Sequence, residues 1–194
     1  MSRFDLPILT PLAAGAPIRV AQAETADAVV RRSPRPVLFV GPGSAARLCR
    51  LIGGSGARRT LIVTDAVLVK LGLVEPVRRS LEVEGIDVAV FDGIVPDPTH
   101  DVLDKGTAAV RAHGSDSILA IGGGSAIDAA KVIAAMATTG KTSAKLVGML
   151  KVNKPPLPLY AVPTTAGTGS EVTVAAVVTD PVKHVKAVVV DPKL

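Results

Sequence analysis

The sequence contains very few aromatic residues and a single cysteine. Of its 194 residues 2% are aromatic, with no Trp, one Tyr and three Phe. Proteins that bind single-stranded nucleic acid stack bases on aromatic side chains, so this composition argues against that class of function. Cys49 alone cannot form an internal disulfide. This excludes a disulfide-stapled secreted scaffold and favours a reducing compartment, so we expect a cytoplasmic location.

Long apolar runs and basic runs are also lacking. The net charge of +5 is spread along the chain in pairs such as Arg31-Arg32, and such a pattern does not predict a nucleic-acid partner. No apolar run reaches the roughly 18 residues that a membrane-spanning helix needs. The most apolar stretch, residues 118–137, is interrupted by Asp128 and Lys131. We therefore expect neither nucleic acid nor a membrane as a partner, and the modest positive charge suits a small ligand that carries phosphate.

The chain divides into an irregular beginning and a regular remainder. Residues 1–34 hold Pro7, Pro11, Pro17 and Pro34 and show no steady hydrophobic period. Prolines and charges also interrupt the apolar patch that a signal peptide would require, so we predict an N-terminal arm there. Residues 35–194 are predicted to form one α/β domain.

Short aliphatic runs alternate with helix-length stretches from residue 36 onward. Runs without polar alternation are typical of parallel strands buried on both faces, and we predict strands at 37–40, 61–64, 88–91, 118–121 and 157–162. Helices are predicted at 74–84, 99–113 and 125–139, and residues 140–156 are predicted to be a connection. The alternation predicts an open, mostly parallel Rossmann-like sheet with helices on both faces. Two further strands, 172–179 and 186–190, are predicted to add an antiparallel hairpin to that sheet.

The sharpest motif is the run Gly-Gly-Gly-Ser at residues 122–125, between a predicted strand and a helix that Ser125 opens. Absent side chains let a ligand approach the backbone, and a helix start presents free N–H groups and a positive dipole end. A diphosphate is the natural ligand, and a tight turn without any ligand is the alternative. Asp128 and Lys131 follow in the same helix, where their spacing also allows a simple ion pair.

A second loop, residues 164–170, follows the next predicted strand. It carries four hydroxyl side chains and two glycines, which suit phosphate and ribose oxygens, and it lies where α/β sheets bind ligands. Taken alone, the same composition also fits a solvated turn.

Asp65 ends another predicted strand. An acid at such a position accepts the adenosine ribose hydroxyls and repels a 2′-phosphate, which favours NAD over NADP. The spacing is equally compatible with an aspartate that caps the next helix.

Three segments together resemble the iron-dependent (group III) alcohol dehydrogenases. They are residues 122–131 (Gly-Gly-Gly-Ser-x-x-Asp-x-x-Lys), 163–171 (Pro-Thr-Thr-Ala-Gly-Thr-Gly-Ser-Glu) and 95–99 (Val-Pro-Asp-Pro-Thr). The resemblance covers residues 36–194 and implies the N-terminal nucleotide-binding domain of an enzyme that transfers hydride between a primary alcohol or aldehyde and NAD. Maleylacetate reductases and glycerol dehydrogenases share this architecture, but Thr-Gly-Ser-Glu at 168–171 fits the alcohol dehydrogenases better.

The resemblance also implies residue roles. Asp65 would hold the adenosine ribose with Pro96 and Asp97 beside the adenosine, and Thr173 and Lys186 would lie nearer the nicotinamide ribose. The diphosphate would lie against residues 122–125. The full set of implied cofactor-binding residues is Asp65, Pro96, Asp97, Gly122, Gly123, Gly124, Ser125, Asp128, Thr164, Thr165, Thr168, Thr173 and Lys186.

The family's divalent metal, such as iron or zinc, is held by one Asp and three His that lie beyond the end of this chain, in a helical domain. The histidines here are His100, His113 and His184, which form no i, i+4 pair. We therefore expect no metal ligand and no catalytic residue in these 194 residues, and little or no turnover, as for a truncated enzyme. A homo-oligomer is expected. The alternative is a non-catalytic module for nucleotide binding or dimerisation.

Overall fold

The computed structural model describes residues 36–180 and 185–194. The predicted arm at 1–34 and His184 lie outside the described residues. The helices are α1 Ser44–Gly54, α2 Ala66–Lys70, α3 Glu75–Val83, α4 His100–His113, α5 Gly124–Thr139 and α6 Ser143–Leu146. The strands are β1 Arg59–Val63, β2 Asp87–Phe91, β3 Ser117–Gly122, β4 Gly148–Met149, β5 Leu159–Pro163, β6 Ala175–Asp180 and β7 Val185–Val190, with a 3-10 helix at Ser170–Val172.

The main sheet is parallel and has the strand order β2-β1-β3-β5. From β1 the chain adds β2 on one side and then returns to place β3 on the other side. The carboxyl ends of β1 and β3 therefore flank a switch point, where open α/β sheets bind ligands.

Helices cover both faces of this sheet, as the sequence predicts. Along β1 the side chains alternate: Leu61 packs in the same cluster as Ile133 of α5, whereas Ile62 packs with Leu81 of α3. All four of these side chains are completely buried. Two apolar clusters on opposite faces thus fix the sheet between α4 and α5 on one side and α1 and α3 on the other. None of the helices in the described part of the chain is long and apolar enough to cross a membrane.

The predicted hairpin is antiparallel, but it belongs to a second sheet. β6 and β7 pair from Ala175 opposite Val190 to Asp180 opposite Val185, and the short β4 pairs parallel to β7. The order of this sheet is β4-β7-β6, without strand pairing to the main sheet among the described residues. The hairpin is therefore packed on α5 and not added to the parallel sheet, because Ala176 and Val178 bury their side chains in the same cluster as α5.

Two predicted strands differ in the structure. Residues 37–40 form no strand, and Val37, Leu38 and Val40 are more than half exposed, because the described residues offer this segment no partner strand. The strand predicted from 172 begins only at Ala175, since Gly169 (φ 66°) leads into a 3-10 turn instead. The sequence reading also missed α1, α2 and β4.

Candidate functional site

The three glycines join β3 to α5 through a turn that excludes side chains. Gly122 is buried with φ +154°, and a Cβ there would lie 2.6 Å from the Ala126 Cβ. A side chain at this position would therefore be both strained and in collision with α5. The Gly122 carbonyl accepts a hydrogen bond from the Thr164 N–H (2.9 Å), which ties the end of β3 to the start of the second loop.

The start of α5 leaves backbone donors free. Gly123 is the N-cap residue and the helix begins at Gly124, one residue before the predicted start at Ser125. The Ala126 and Ile127 N–H groups both donate to the Gly123 carbonyl (3.1 and 3.2 Å). The N–H groups of Gly124 and Ser125 have no such backbone acceptor among the described residues. They are the donors that a helix start offers to an anion.

The second loop lies directly against the glycines. A Cβ added at Gly123 would come within 3.0 Å of the Thr165 Oγ1 atom, and one added at Gly124 within 3.1 Å of the Thr168 Cγ2 atom. Thr164, Thr165 and Thr168 are exposed, so their hydroxyls remain available to a ligand. The structure thus brings the two predicted loops together at the carboxyl edge of the main sheet.

Asp65 caps the helix that follows it, which is one of the two readings that its spacing allows. Its Oδ1 atom accepts a hydrogen bond from the Leu68 N–H (3.0 Å), so the side chain caps α2. Its Oδ2 atom lies 3.9 Å from the position that a Cβ on Gly122 would occupy. One oxygen therefore stabilises a helix while the other lies beside the glycine turn.

Asp97 and Lys186 form an ion pair. The Lys186 Nζ and Asp97 Oδ1 atoms are 2.9 Å apart, and both side chains are more than half exposed. The Thr179 N–H donates to the Pro98 carbonyl (2.9 Å), which fastens the loop that holds Pro96 and Asp97 to β6. The ion pair therefore joins the loop that the resemblance places beside the adenosine to Lys186, which the resemblance places nearer the nicotinamide ribose.

The acid and the lysine of the α5 motif do not pair with each other, contrary to the alternative that their spacing allowed. The Lys131 ammonium donates to the Thr173 carbonyl (2.6 Å), the Thr173 hydroxyl (3.2 Å) and the Ala175 carbonyl (2.9 Å). The Asp128 Oδ2 atom accepts from the Val177 N–H (3.0 Å). Both side chains are buried, with exposed fractions of 8% for Asp128 and 3% for Lys131.

The buried position of Lys131 affects the pKa of its side chain. Desolvation lowers the pKa of its ammonium below the ordinary value, and the carboxylates of Asp128 and Glu171 oppose that shift. A buried ammonium is tolerated only when its donors are satisfied, and here three oxygen acceptors satisfy them.

The two described histidines serve structural contacts. The His100 Nδ1 and Ser143 Oγ atoms lie within hydrogen-bond distance (2.8 Å), and so do His113 Nδ1 and Ser115 Oγ (2.8 Å). Within the described part of the chain, no three His, Cys, Asp or Glu side chains converge to hold a metal ion. These residues therefore do not fit the metal that the resemblance implies.

Two residues near the loops lie outside the cofactor-binding set that the resemblance implies. Ser170 is 6% exposed, and its Oγ atom lies 3.2 Å from the position of a Cβ on Gly124. Lys131 was predicted only as part of the α5 motif, although it binds Thr173, three residues beyond the second loop. The signal for Lys131 was its position in the apolar stretch 118–137, where a charge without a partner would be costly.

Comparison with known proteins gives a consistent result. The sequence model of the family "Iron-containing alcohol dehydrogenase" matches residues 34–194. Alcohol dehydrogenase 4 of Schizosaccharomyces pombe is 43% identical over 151 residues, which are 78% of this chain and 36% of that protein. The NAD-dependent methanol dehydrogenase of Bacillus methanolicus is 38% identical over 159 residues, 82% of this chain and 42% of that protein.

Solved structures agree with the sequence matches. The alcohol dehydrogenase from Oenococcus oeni superposes with a TM-score of 0.79 at 36% identity, covering 83% of this chain and 43% of that one. The chain thus spans about two fifths of the length of these relatives. Its sequence and its fold both match, and the chain belongs to the iron-containing alcohol dehydrogenase family.

Proposed function

We propose that this chain binds NAD and is the cofactor-binding part of an enzyme that transfers hydride between a small primary alcohol or aldehyde and NAD. The observation that carries the proposal is the junction of the two loops, where the free N–H groups of Gly124 and Ser125 lie beside exposed threonine hydroxyls. When bound, the nicotinamide cofactor supplies the hydride chemistry. The chain's own part is to bind and orient it.

The diphosphate would lie at the start of α5. The absence of side chains at Gly122, Gly123 and Gly124 lets it approach the backbone, and the first N–H groups of α5 would donate to its oxygens. The remaining donors would be the hydroxyls of the second loop, those of Thr164, Thr165 and Thr168.

Asp65 would select NAD over NADP. Its Oδ1 atom is engaged in the cap of α2, which leaves Oδ2 to accept the adenosine ribose hydroxyls. A 2′-phosphate at that position would bring negative charge against the carboxylate, so NADP would bind more weakly.

Pro96, Asp97, Thr173 and Lys186 would form the remaining contacts. The ion pair of Asp97 with Lys186 supports a position of both side chains at the same end of the dinucleotide. In this proposal Lys186 and Thr173 contact the nicotinamide ribose. Asp97 lies at the nicotinamide end of the cofactor as well, and not beside the adenosine where the resemblance would put it.

The ligands of the divalent metal would be residues other than these. His100 and His113 are engaged with serine hydroxyls, and the sequence holds a single further histidine. The chain alone should therefore bind NAD without oxidising alcohols, even when iron or zinc is added, and measurable metal-dependent turnover would contradict this. We also propose that the complete enzyme is cytoplasmic and homo-oligomeric, in line with the scarcity of cysteine for its location.

Calorimetric titration of the purified chain with NAD and with NADP tests the proposal. We expect saturable heat with NAD and an affinity for NADP that is lower by about tenfold or more, the usual scale of one unfavourable charge contact. No heat with either ligand, from a sample that circular dichroism shows to be folded, would remove the cofactor assignment. Tighter binding of NADP would remove only the role given to Asp65.

A further inference from the structure

We propose that Lys131 and Asp128 are positioning residues for the cofactor and do not touch it: they fasten residues 173–177 to α5 and so hold the second loop against the three glycines. This inference rests on the proposed function. It replaces the direct cofactor contact that the resemblance implied for Asp128.

The second loop is fastened at both ends to the same strand-helix unit. At its start, the Thr164 N–H donates to the Gly122 carbonyl at the end of β3 (2.9 Å). Beyond its end, after the 3-10 helix, Lys131 of α5 binds the carbonyls of Thr173 and Ala175 at 2.6 and 2.9 Å. The exposed threonines lie between these two attachments, so their distance from the glycines depends on both.

Asp128 lies one turn earlier in α5 and makes a second attachment between this helix and the same segment. Its Oδ2 atom accepts from the Val177 N–H (3.0 Å), just beyond the residues that Lys131 holds. Helix positions three apart lie on the same face of a helix. One face of α5 therefore binds every second residue of the segment 173–177, namely residues 173, 175 and 177. This pattern explains why the helix carries an acid and a base at buried positions without an ion pair between them.

Neither side chain is suited to bind a diphosphate directly. The three protons of the Lys131 ammonium are matched by three oxygen acceptors, and the side chain is 3% exposed. Asp128 is an acid that is 8% exposed, and its negative charge would repel phosphate oxygens. Its Oδ1 atom has no hydrogen-bond partner among the described residues. We therefore assign Lys131 and Asp128 the role of anchors that hold the backbone of residues 173–177 on α5.

Lys131→Met tests the anchor. The substitution keeps the length of the side chain and removes all three donors, so the affinity for NAD should fall about 10- to 100-fold, the scale of lost hydrogen bonds to a charged group. Hydrogen exchange of the unliganded chain should accelerate in residues 164–175. Leu81→Ala serves as the control because it weakens the core on the opposite face of the sheet, in the cluster with Ile62. It should change NAD affinity less than about twofold under conditions where both variants are folded.

Asp128 gives an independent test that does not depend on whether Lys131→Met folds. Asp128→Asn keeps a carbonyl acceptor for the Val177 N–H, so its affinity for NAD should stay within about threefold of the original chain, whereas Asp128→Leu should lose about tenfold. An equal loss in Asp128→Asn and Asp128→Leu would assign the role to the charge and overturn the anchor.

The outcomes separate this inference from the proposed function. NAD binding by the unaltered chain together with unchanged affinity in Lys131→Met, or with an equal loss in Leu81→Ala, would overturn only the anchor. No NAD binding by the unaltered chain would overturn the proposed function, and the positioning role would fall with it.

Discussion

The two edges of the main sheet are formed by the same strands, yet their polar groups differ in hydrogen bonding. At the carboxyl edge, the N–H groups of Gly124 and Ser125 have no backbone acceptor among the described residues, and Thr164 and Thr165 of the second loop are exposed. At the amino edge, the carboxylate of Asp116 accepts from the Arg58 N–H (2.8 Å) and the Arg59 N–H (3.2 Å). The carboxyl edge therefore has hydrogen-bond donors that a ligand could use, whereas the polar groups named at the amino edge bond to each other.

The amino edge nevertheless has a cavity. Its volume is about 240 Å³, and its lining residues are Ser55, Gly56, Ala57, Asp116, Ser117, Pro158 and Tyr160. The Tyr160 hydroxyl donates to Ser55 Oγ (3.1 Å), which in turn donates to the Ile52 carbonyl (2.7 Å). The amino edge thus combines a cavity with polar groups that bond to each other, whereas the carboxyl edge has backbone donors without a backbone acceptor among the described residues.

The largest expected effect is at Gly123, on the carboxyl edge. Its φ of −80° accommodates any residue, so Gly123→Val leaves the backbone unstrained while its methyl groups occupy the space between the two loops. We expect the affinity for NAD to fall about 100-fold or more, as two or more hydrogen bonds to an anion are lost. Calorimetry measures the affinity, and circular dichroism checks the fold.

Gly54→Ala is the matched control for that substitution. A Cβ at Gly54 would meet no atom within 4 Å, and the residue ends α1 near the amino edge. NAD affinity should be unchanged. An equal loss in both variants would show that glycine loss, and not the blocked diphosphate position, causes the effect.

The amino edge should respond in stability and not in binding. Asp116→Ala removes the acceptor for two backbone N–H groups and should lower the free energy of unfolding by about 1–2 kcal/mol, with NAD affinity unaltered. Urea unfolding and calorimetry measure the two quantities. Weaker NAD binding at unchanged stability would reverse the assignment of the edges.

Asp65→Asn should change specificity at the carboxyl edge with little change in stability. Asparagine retains an oxygen that caps α2 but loses the charge, so the preference for NAD over NADP should fall about tenfold. The ratio of the two dissociation constants is the measurement. An unchanged ratio would leave Asp65 as a helix cap alone.

The smallest expected effect concerns the exposed ion pair. Because exposed pairs contribute about 1 kcal/mol or less, Asp97→Asn and Lys186→Met should each weaken NAD binding only about two- to fivefold. Both should weaken binding of the same half of the cofactor when the mononucleotides of adenine and of nicotinamide are titrated separately. Loss of different halves would contradict the shared position of the two side chains.

Much of the fold could be predicted because its signals are local. The unbroken aliphatic runs of β1 and β3 belong to strands buried on both faces, whereas the edge strands β2 and β5 are only partly buried. Glycines end α4 and α5 in the left-handed conformation at Gly114 and Gly140. The two loops follow directly from those strands, so their meeting at one edge could also be foreseen.

The rest depended on tertiary contacts that no local pattern carries. Residues 37–40 have the composition of a strand but no partner among the described residues. The segment that leads into β6 is held by Lys131, which binds the carbonyls of Thr173 and Ala175 from another element. The ion pair of Asp97 and Lys186 joins residues that are far apart in the sequence, so no local pattern indicates it.

Amide NMR spectra of the isotopically labelled chain, recorded during titration with NAD, test the central claim most directly. The account predicts the largest shifts at Gly123, Gly124 and Ser125 and in residues 164–170, with Ser55, Asp116 and Tyr160 unaffected. Shifts concentrated at the residues of the amino-edge cavity, or no shifts at saturating NAD, would contradict it.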